Sequence, residues 1–195
     1  DGTAAKVNEY AASHHKDNVK AILNDGVPGL SPSIVKGFHA AQGEFLCCMD
    51  GDMQHDASAL TGIFKMMENN DFVVGSRYTQ GGGFKEKWNP ARVFISRSAT
   101  MMAHVILSVK VLDPMSGFFA IRKSVFEDVA PRMSPRGFKI MLELLYLVTH
   151  ASGRHYRVAE YGIIFGLRQH GKSKLSSKVI VDYLSMLVKL RLSKR

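Results

Sequence analysis

The chain has 195 residues, of which 46% are hydrophobic, and a formal net charge of +9. This length and composition fit one large domain with its own core. Cys47 and Cys48 are adjacent in an apolar run, which excludes a disulfide framework and indicates small core residues in a reducing compartment. No Cys/His spacing predicts zinc, and no apolar run reaches the roughly 18 residues of a membrane span.

The charge is distributed unevenly along the chain. Residues 1–75 carry 5 Lys/Arg and 10 Asp/Glu, whereas residues 76–195 carry 21 and 7. The basic part therefore either faces an anionic partner or is solvated surface. Charge alone leaves three partners open, namely nucleic acid, an anionic membrane and a phosphorylated substrate.

The first part of the chain alternates between helical and strand periodicity. In chain order the pattern predicts a helix over 4–15, a strand over 19–23, a helix through 41, a strand over 45–49, a helix over 57–69 and a strand over 71–76. Ser31 and Pro32 supply an N-cap and a first helical position for the second helix, and Asp56 caps the third. Residues 45–49 are apolar throughout, as expected of a strand covered on both faces.

The remaining chain continues the alternation. The pattern predicts a helix over 92–109, two short strands joined by a tight turn within 111–126, a buried helix over 137–148, a strand over 155–165 and a helix over 175–192. The turn contains Asp113-Pro114 and Ser116-Gly117. Strands that alternate with helices predict an α/β fold with a mainly parallel sheet flanked by helices.

Asp50-Gly51-Asp52 follows directly after the predicted strand over 45–49. Ligands of open α/β sheets bind just beyond the carboxyl ends of the strands. Gly51 removes the steric bar to a bend that turns both carboxylates toward one point. One interpretation is a hard divalent cation held by both carboxylates and the oxygen of Gln54. The other is a turn rich in Asp that leads into the Asp56 cap, and the tripeptide alone does not choose.

Seven segments, in order along nearly the whole chain, resemble the family 2 glycosyltransferases, and within them the dolichyl- or polyprenyl-phosphate mannosyltransferases. They are DGT at 1–3, GLSPSIVKGFHAAQGEF at 29–45, MDGDMQHD at 49–56, VVGSRY at 73–78, DPMSGFFAIRKSV at 113–125, GFKIMLELL at 137–145 and GKSKLS at 171–176. The resemblance implies a GT-A-like, nucleotide-diphospho-sugar transferase fold. It implies one catalytic domain over 1–195, in which 175–195 forms an amphipathic helix suited to a membrane interface.

The chain departs from the family pattern at two places. Gly51 stands where the family more often has alanine or another small residue. The opening strand with its P-x-Y-N-E loop, and the strand that leads to the acidic loop resembling DGT at 1–3, are not in this sequence. The resemblance therefore implies an N-terminally truncated domain. We expect the strand that ends at Met49 to have an unpaired flank, and the donor pocket to be open and to bind GDP poorly.

The resemblance also implies roles for individual residues. Asp50, Asp52 and Gln54 match positions that bind Mg²⁺ or Mn²⁺ and the donor diphosphate, and Asp52 and Asp113 are the predicted catalytic residues. The positions matching donor or acceptor phosphate contacts are Arg77, Arg92, Ser96, Lys139, Arg168 and Lys174. For Asp113 three roles stay open: a hydrogen bond to a sugar hydroxyl, a base, or a cap of its own turn. His55 and His170 are interpreted as bystanders, and Glu143 is given no role.

The implied reaction is metal-dependent transfer of mannose from GDP-mannose to a polyprenyl or dolichyl phosphate at the cytoplasmic face of a membrane. Within the class, the alternative is a UDP-glucose-dependent polyprenyl-phosphate glucosyltransferase. In another class, it is an inactive fragment that binds membranes or polyanions. Nucleic acid is not predicted as a partner, because the basic residues belong to motifs beside an acidic site and are not interleaved with aromatic residues along one helix.

Overall fold

Helices and strands alternate through the computed structural model, which describes residues 2–86, 90–134, 139–151, 153–166 and 177–192. The helices are α1 (Thr3–Ser13), α2 (Leu30–Ala40), α3 (Ala59–Met67), α4 (Pro90–Leu107), α5 (Lys123–Val129), α6 (Ile140–Tyr146) and α7 (Ser177–Leu192). The strands are β1 (Phe45–Cys48), β2 (Phe72–Ser76), β3 (Gly83–Phe84), β4 (Phe119–Arg122), β5 (Val158–Gly162) and β6 (Ile164–Phe165). A 3₁₀ turn, Ala130–Arg132, follows α5, and a π-helical turn, Leu147–Ala151, continues α6.

Four of the strands form one sheet in the order β1-β4-β2-β5. Strands β1, β2 and β5 run in the same direction, and β4 runs against both of its neighbours. Cys48 of β1 and Val74 of β2 both face Phe119, the first residue of β4. The turn that precedes β4 therefore lies at the same end of the sheet as the carboxyl ends of the other three strands. Strands β3 and β6 form a separate parallel pair.

Both faces of the four-stranded sheet are buried. Phe72 and Val74 of β2 pack into a large core with residues of α2, α4, α5, α6 and α7. Val73, between them, packs on the other face against Ile63 and Met67 of α3. Successive side chains of a strand point to opposite faces, so burial on both faces requires apolar residues at every position. This explains the continuous apolar runs of β1 and β2, which the sequence predicted.

Three local predictions are wrong. Residues 19–23 form no strand, and Leu23 is 68% exposed, with its carbonyl accepting a hydrogen bond from Lys36 Nζ. Ser31 is a buried residue inside α2 and does not cap it, because Gly29 precedes the first helical residue. The short strand predicted just before Asp113 is also not formed. Strand formation needs a backbone partner, and an apolar run alone does not supply one.

Two expectations about the beginning of the chain are confirmed. Helix α1, Thr3–Ser13, is the first regular element that the structure describes. Strand β1 pairs with β4 on one side only and lies at the edge of the sheet as far as the described strands show. None of the described helices has both the length and the apolar composition needed to cross a bilayer.

Candidate active site

A cavity of about 100 Å³ opens at the end of the sheet where β1 ends and β4 begins. Its lining comes from α2, the end of β1, the turn before β4 and the start of α6, and consists of Leu30, Ile34, Cys48, Asp50, Pro114, Met115, Ser116, Gly117, Phe119, Lys139, Ile140, Met141 and Leu142. Asp50 and Lys139 are its two charged lining residues. The cavity thus brings an acidic and a basic residue of the predicted site together on a largely apolar wall.

The carboxylate of Asp50 lies against the backbone of Gly117. A Cβ atom at position 117 would come 2.5 Å from Asp50 Oδ2 and 3.0 Å from its Cγ. Asp50 Oδ2 also lies 3.7 Å from Nε2 of His55. The Asp50 side chain is 42% exposed, so it also faces solvent. A residue without a side chain at position 117 is therefore what allows the carboxylate its present place.

The loop after Asp50 bends over residues 51–53. Met53 has a φ of 65°, in the left-handed region, whereas Gly51 is not among the residues with positive φ. The bend predicted at Gly51 is therefore present, but the backbone there does not require a glycine. Asp52 Oδ1 accepts a hydrogen bond of 3.2 Å from the Gln54 backbone N–H, which is the short-range turn that an Asp favours.

Gln54 is buried and joins the loop to the segment after β6. Its side-chain Nε2 donates to the Gly166 carbonyl at 3.1 Å, and the Gly166 N–H donates to the Gln54 carbonyl at 2.7 Å. These two bonds fix the end of the acidic loop against residues more than a hundred positions away. The sequence predicted Gln54 as a ligand but did not foresee this anchor.

The donor set fits an open divalent cation site. Two carboxylates, Asp50 and Asp52, and the amide of Gln54 stand on one loop at the end of β1. Among the described residues, no group of three or more His, Cys, Asp and Glu side chains is arranged to hold a metal ion. Mg²⁺ characteristically binds through one or two carboxylates and substrate phosphates, without a closed protein cage.

Arg77 and Asp113 form a buried ion pair beside this loop. The Arg77 guanidinium donates from Nε to Asp113 Oδ2 and from Nη2 to Oδ1, both at 2.7 Å, and its backbone N–H donates to Oδ2 at 3.0 Å. The Asp113 side chain is fully buried and that of Arg77 is 8% exposed. Burial acts to lower the pKa of Arg77, but the hydrogen bonds and charge of Asp113 outweigh it, so that the pKa is raised.

This pairing bears on the roles predicted for both residues. The two carboxylate oxygens of Asp113 are engaged by Arg77, a contact that the sequence did not indicate for either residue. The turn before β4 is closed by the backbone of Asp113, whose carbonyl accepts from the Ser116 N–H, and not by its side chain. The catalytic role of Asp113 and the phosphate contact of Arg77 stay predictions.

Glu160 and Ser116 hold the turn that carries Asp113. The Glu160 carboxylate accepts the backbone N–H groups of Leu112 at 2.8 Å and Asp113 at 3.1 Å. Ser116 Oγ donates to the Gly75 carbonyl at 2.6 Å and accepts from the backbone N–H two residues further on. Sequence analysis missed Glu160. Its signal was an acidic residue in the middle of an otherwise strand-like segment.

Lys139 is half-buried where α6 begins, and it lines the cavity. Burial lowers the pKa of Lys139, and the positive charge of Arg77 lowers it further, against the opposing effects of Asp113 and Asp50. These interactions place the ammonium among the charged groups of the site. A cation in a half-apolar cavity is well placed to attract an anionic ligand, as predicted for a phosphate contact.

The other predicted phosphate contacts are only partly described. Ser96 is half-buried on α4. Arg92 lies on the same helix, one turn before it, but its side chain is outside what the structure describes. Arg168 and Lys174 both lie outside the described residues. The structure therefore brings Asp50, Lys139, Arg77 and Asp113 into one charged neighbourhood, with Asp52 and Gln54 on the adjoining loop.

The fold, and the charged residues at the carboxyl ends of its strands, agree with a class of sugar-transferring enzymes. The sequence model of glycosyl transferase family 2 matches residues 1–130, two thirds of the chain. The chain belongs to glycosyl transferase family 2, a family of enzymes.

Named relatives match nearly the whole chain. It is 38% identical to the dolichol-phosphate mannosyltransferase of Saccharomyces cerevisiae over 191 residues, which are 97% of this chain and 70% of the relative. The proteins of that name from Mycosarcoma maydis and Pyrococcus furiosus are 38% and 36% identical, each over 97% of this chain. The chain spans 63% and 52% of the lengths of these two relatives.

A solved structure supports the fold. The glucosyl-3-phosphoglycerate synthase of Mycobacterium tuberculosis, in complex with Mn²⁺, UDP-glucose and phosphoglyceric acid, superposes with a TM-score of 0.64 at 13% identity. The match covers 98% of this chain and 65% of that one. A second structure of that enzyme, with UDP, gives a TM-score of 0.61. The predicted GT-A-like fold is confirmed.

Proposed function

We propose that the protein transfers mannose from GDP-mannose to dolichyl phosphate or a related polyprenyl phosphate. The observation that carries the proposal is the cavity at the carboxyl ends of the strands, which both Asp50 and Lys139 line. The identity with dolichol-phosphate mannosyltransferases over 97% of the chain supports the choice of sugar and acceptor. The assignment of residues 1–195 to one catalytic domain is part of this proposal.

The reaction needs charge neutralisation more than it needs a base. A phosphate oxygen of the acceptor forms a bond to the anomeric carbon of the sugar, and the bond from that carbon to the donor phosphate breaks. The nucleotide diphosphate leaves with the electron pair. Because the attacking oxygen is already anionic, no proton has to be removed from it. The site must therefore position two phosphate groups and offset their charge.

Residues of this chain can both position the phosphate groups and offset their charge. Lys139 lines the cavity and offers a positive charge to a phosphate there. Arg77 is the proposed second phosphate contact; Asp113 compensates its charge and holds its guanidinium in a fixed orientation. On the acidic loop, Asp50, Asp52 and Gln54 would hold Mg²⁺ or Mn²⁺. A bound divalent cation would offset the charge that grows on the leaving diphosphate.

A membrane surface is the proposed second partner. Phe94, Met101 and Val105 of α4 are 73%, 62% and 76% exposed and recur at helical spacing on one side of the helix. Helix α7 packs against α4, since Tyr183 Oη donates to the Ala99 carbonyl at 2.6 Å, and it exposes Val181, Val188 and Leu192.

Exposed basic residues accompany these apolar stripes. Arg97 lies on α4, and Lys189 and Arg191 lie in the last turn of α7. Apolar stripes beside basic residues fit the interface of an anionic bilayer, where a lipid-linked phosphate would be presented. The cytoplasmic side of that membrane is the side we propose.

The test measures transfer of labelled mannose from GDP-mannose into organic-extractable dolichyl phosphate by a purified protein that contains this chain. We expect transfer with Mg²⁺ or Mn²⁺ and its loss with EDTA. UDP-glucose is the matched alternative donor, and higher transfer of glucose would favour the glucosyltransferase alternative. Absence of transfer from either donor, with retained vesicle binding, would favour the membrane-binding alternative.

Substituting Asp52 by Asn tests the acidic loop in the same assay. One negative charge is lost at nearly constant shape, so we expect the metal-stimulated transfer to fall by at least about 100-fold. Exposed Asp17→Asn is the control, because Asp17 lies outside the site. Near wild-type turnover of Asp52→Asn in Mg²⁺ and in Mn²⁺ would remove the metal role from this residue. Arg168 and Lys174 stay predicted phosphate contacts.

A further inference from the structure

His55 is buried beside the acidic loop, and its ring has no hydrogen-bond partner among the described residues. Its side chain is 2% exposed, and neither Nδ1 nor Nε2 has a partner within the described structure. The ring packs edge-on against Phe118 and Phe165, at centroid distances of 5.2 and 5.0 Å. The backbone of His55 also forms a bridge with Phe165. The imidazole is therefore held in place by the backbone bridge and by the two aromatic rings.

A buried imidazole without partners is costly. An unsatisfied buried donor or acceptor typically costs about 1–3 kcal/mol, and most buried polar groups in folded proteins are paired. Phenylalanine would fill this aromatic environment without that cost. The packing contacts alone do not require a histidine. We therefore expect the ring nitrogens to make a polar interaction at some stage.

The acceptor that His55 faces is the carboxylate of Asp50. Nε2 lies 3.7 Å from Asp50 Oδ2, which is longer than a hydrogen bond. A carboxylate movement of about 1 Å would bring the two atoms within hydrogen-bonding distance. The same oxygen lies close to Gly117, where an added Cβ would come within 2.5 Å of it.

We infer that His55 is a positioning residue for Asp50. After the carboxylate movement described above, its Nε2–H donates to Oδ2 and holds the carboxylate in the orientation that receives a divalent cation. This inference rests on the metal site of the proposed function. Hydrogen bonds to ligating groups orient them and raise metal affinity, and their loss typically weakens binding about 10–100-fold. His55 need not touch the cation or the sugar to act in this way.

Three substitutions separate this role from packing. In His55→Phe the ring remains and both nitrogens are lost. In His55→Gln the amide nitrogen can occupy the place of Nε2, and in His55→Asn it can occupy only that of Nδ1. Mn²⁺ binding by a purified protein that contains this chain is measured by electron paramagnetic resonance at a saturating GDP concentration, with a GDP-only blank. Thermal unfolding of each variant reports on the fold.

We expect the Kd for Mn²⁺ to rise about 10-fold in His55→Phe and His55→Asn, and to stay within about threefold of wild type in His55→Gln. His55→Phe should unfold at the same or a higher temperature, because an unpaired polar group is removed. If it does not fold, the comparison of the Gln and Asn variants decides the question by the same criterion.

Two outcomes overturn the inference in distinguishable ways. If the wild-type protein binds Mn²⁺ and His55→Phe binds it equally well, His55 only packs, and the proposed function is untouched. Equal weakening in the Gln and Asn variants would likewise exclude the Nε2 contact. If the wild-type protein binds no Mn²⁺ with GDP present, the metal site of the proposed function has failed, and the inference fails with it.

Discussion

At the scale of single residues, two glycines flank the carboxylate of Asp50 in different surroundings. A Cβ at Gly117 would come 2.5 Å from Asp50 Oδ2, whereas one at Gly51 would meet no atom within 4 Å outside its two chain neighbours. We therefore expect Gly117→Ala to turn the carboxylate away and to weaken Mn²⁺ binding about 10-fold, while Gly51→Ala leaves it unchanged.

Both alanine variants should fold, because the atoms that the new methyl group displaces in Gly117→Ala belong to the Asp50 side chain, which can rotate. Mn²⁺ titration and thermal unfolding of the pair make the comparison. Equal Mn²⁺ affinity in the two variants would show that Gly117 has no part in placing Asp50.

The ion pair of Arg77 and Asp113 gives a prediction about stability. In Asp113→Asn the buried guanidinium loses its countercharge, and such a loss costs about 3–5 kcal/mol of unfolding free energy. Replacing both residues, with Arg77→Met and Asp113→Leu, removes the buried charge altogether and should recover most of that loss. Urea unfolding of the single and double variants measures both effects. A single variant as stable as wild type would mean that the pair is not buried in solution.

The sequence carried part of this detail. Asp50 and Asp52 were predicted at the end of a strand, because a short apolar run followed by two carboxylates is a local pattern. The pairing of Arg77 with Asp113 spans 36 positions and depends on β4 lying between β1 and β2. No local pattern encodes that neighbourhood. The same holds for His55, whose missing partners can be seen only once its surroundings are known.

At the scale of elements, α6 contains a buried acid. Glu143 is 4% exposed, and its Oε1 accepts the Ser134 backbone N–H at 2.6 Å. Burial raises the pKa of Glu143 above its ordinary value of 4.5, against the opposing effect of this hydrogen bond. The contact ties α6 to the segment that precedes it, a role that the sequence left undecided.

This raised pKa predicts how stability depends on pH. A carboxyl that holds its proton more tightly when folded contributes stability below its unfolded pKa and loses it as pH rises through the folded pKa. Glu143→Gln keeps an acceptor oxygen and cannot ionise. Its stability relative to wild type should therefore be higher at pH 7 than at pH 4, measured by urea unfolding.

The control for this prediction is Glu9→Gln, at an exposed position of α1. That variant should show nearly the same stability relative to wild type at both pH values. If the difference for Glu143→Gln is also the same at pH 4 and pH 7, burial does not shift its ionisation.

Elements with strong periodicity were predicted well. The ends of β1, β2 and α4 fall within two residues of the predicted limits. The strand over 19–23 was wrong because its apolar residues find no neighbouring strand among the described residues. The single strand predicted over 155–165 is divided into β5 and β6, since Ile163 interrupts the ladder and the two parts pair with different strands. Pairing partners are long-range facts that local pattern does not contain.

At the scale of the whole molecule, the exposed stripe of α4 predicts vesicle binding. Met101→Gln with Val105→Gln removes two exposed apolar side chains from that stripe. We expect partitioning onto vesicles with about one third anionic lipid to fall about 5–10-fold, and raised salt to weaken the binding further.

Leu23→Gln is the control for this prediction, because Leu23 is 68% exposed and belongs to neither α4 nor α7. Cosedimentation with vesicles measures all three proteins. Equal loss of binding in Leu23→Gln and in the α4 variant would show that general surface hydrophobicity is responsible, and unchanged binding of the α4 variant would exclude the stripe.

The position of β4 also has a consequence for how the chain is made. Strand β2 lies between β4 and β5, and both of these neighbours come later in the chain. During synthesis, β2 therefore emerges from the ribosome with a largely apolar sequence and two unpaired edges. These edges stay unpaired until β4, and then β5, have been made. Arg77, at the end of β2, likewise lacks Asp113 during this interval. The nascent chain should thus be a client for chaperones that shield exposed strands until Gly162, the end of β5, has left the ribosome.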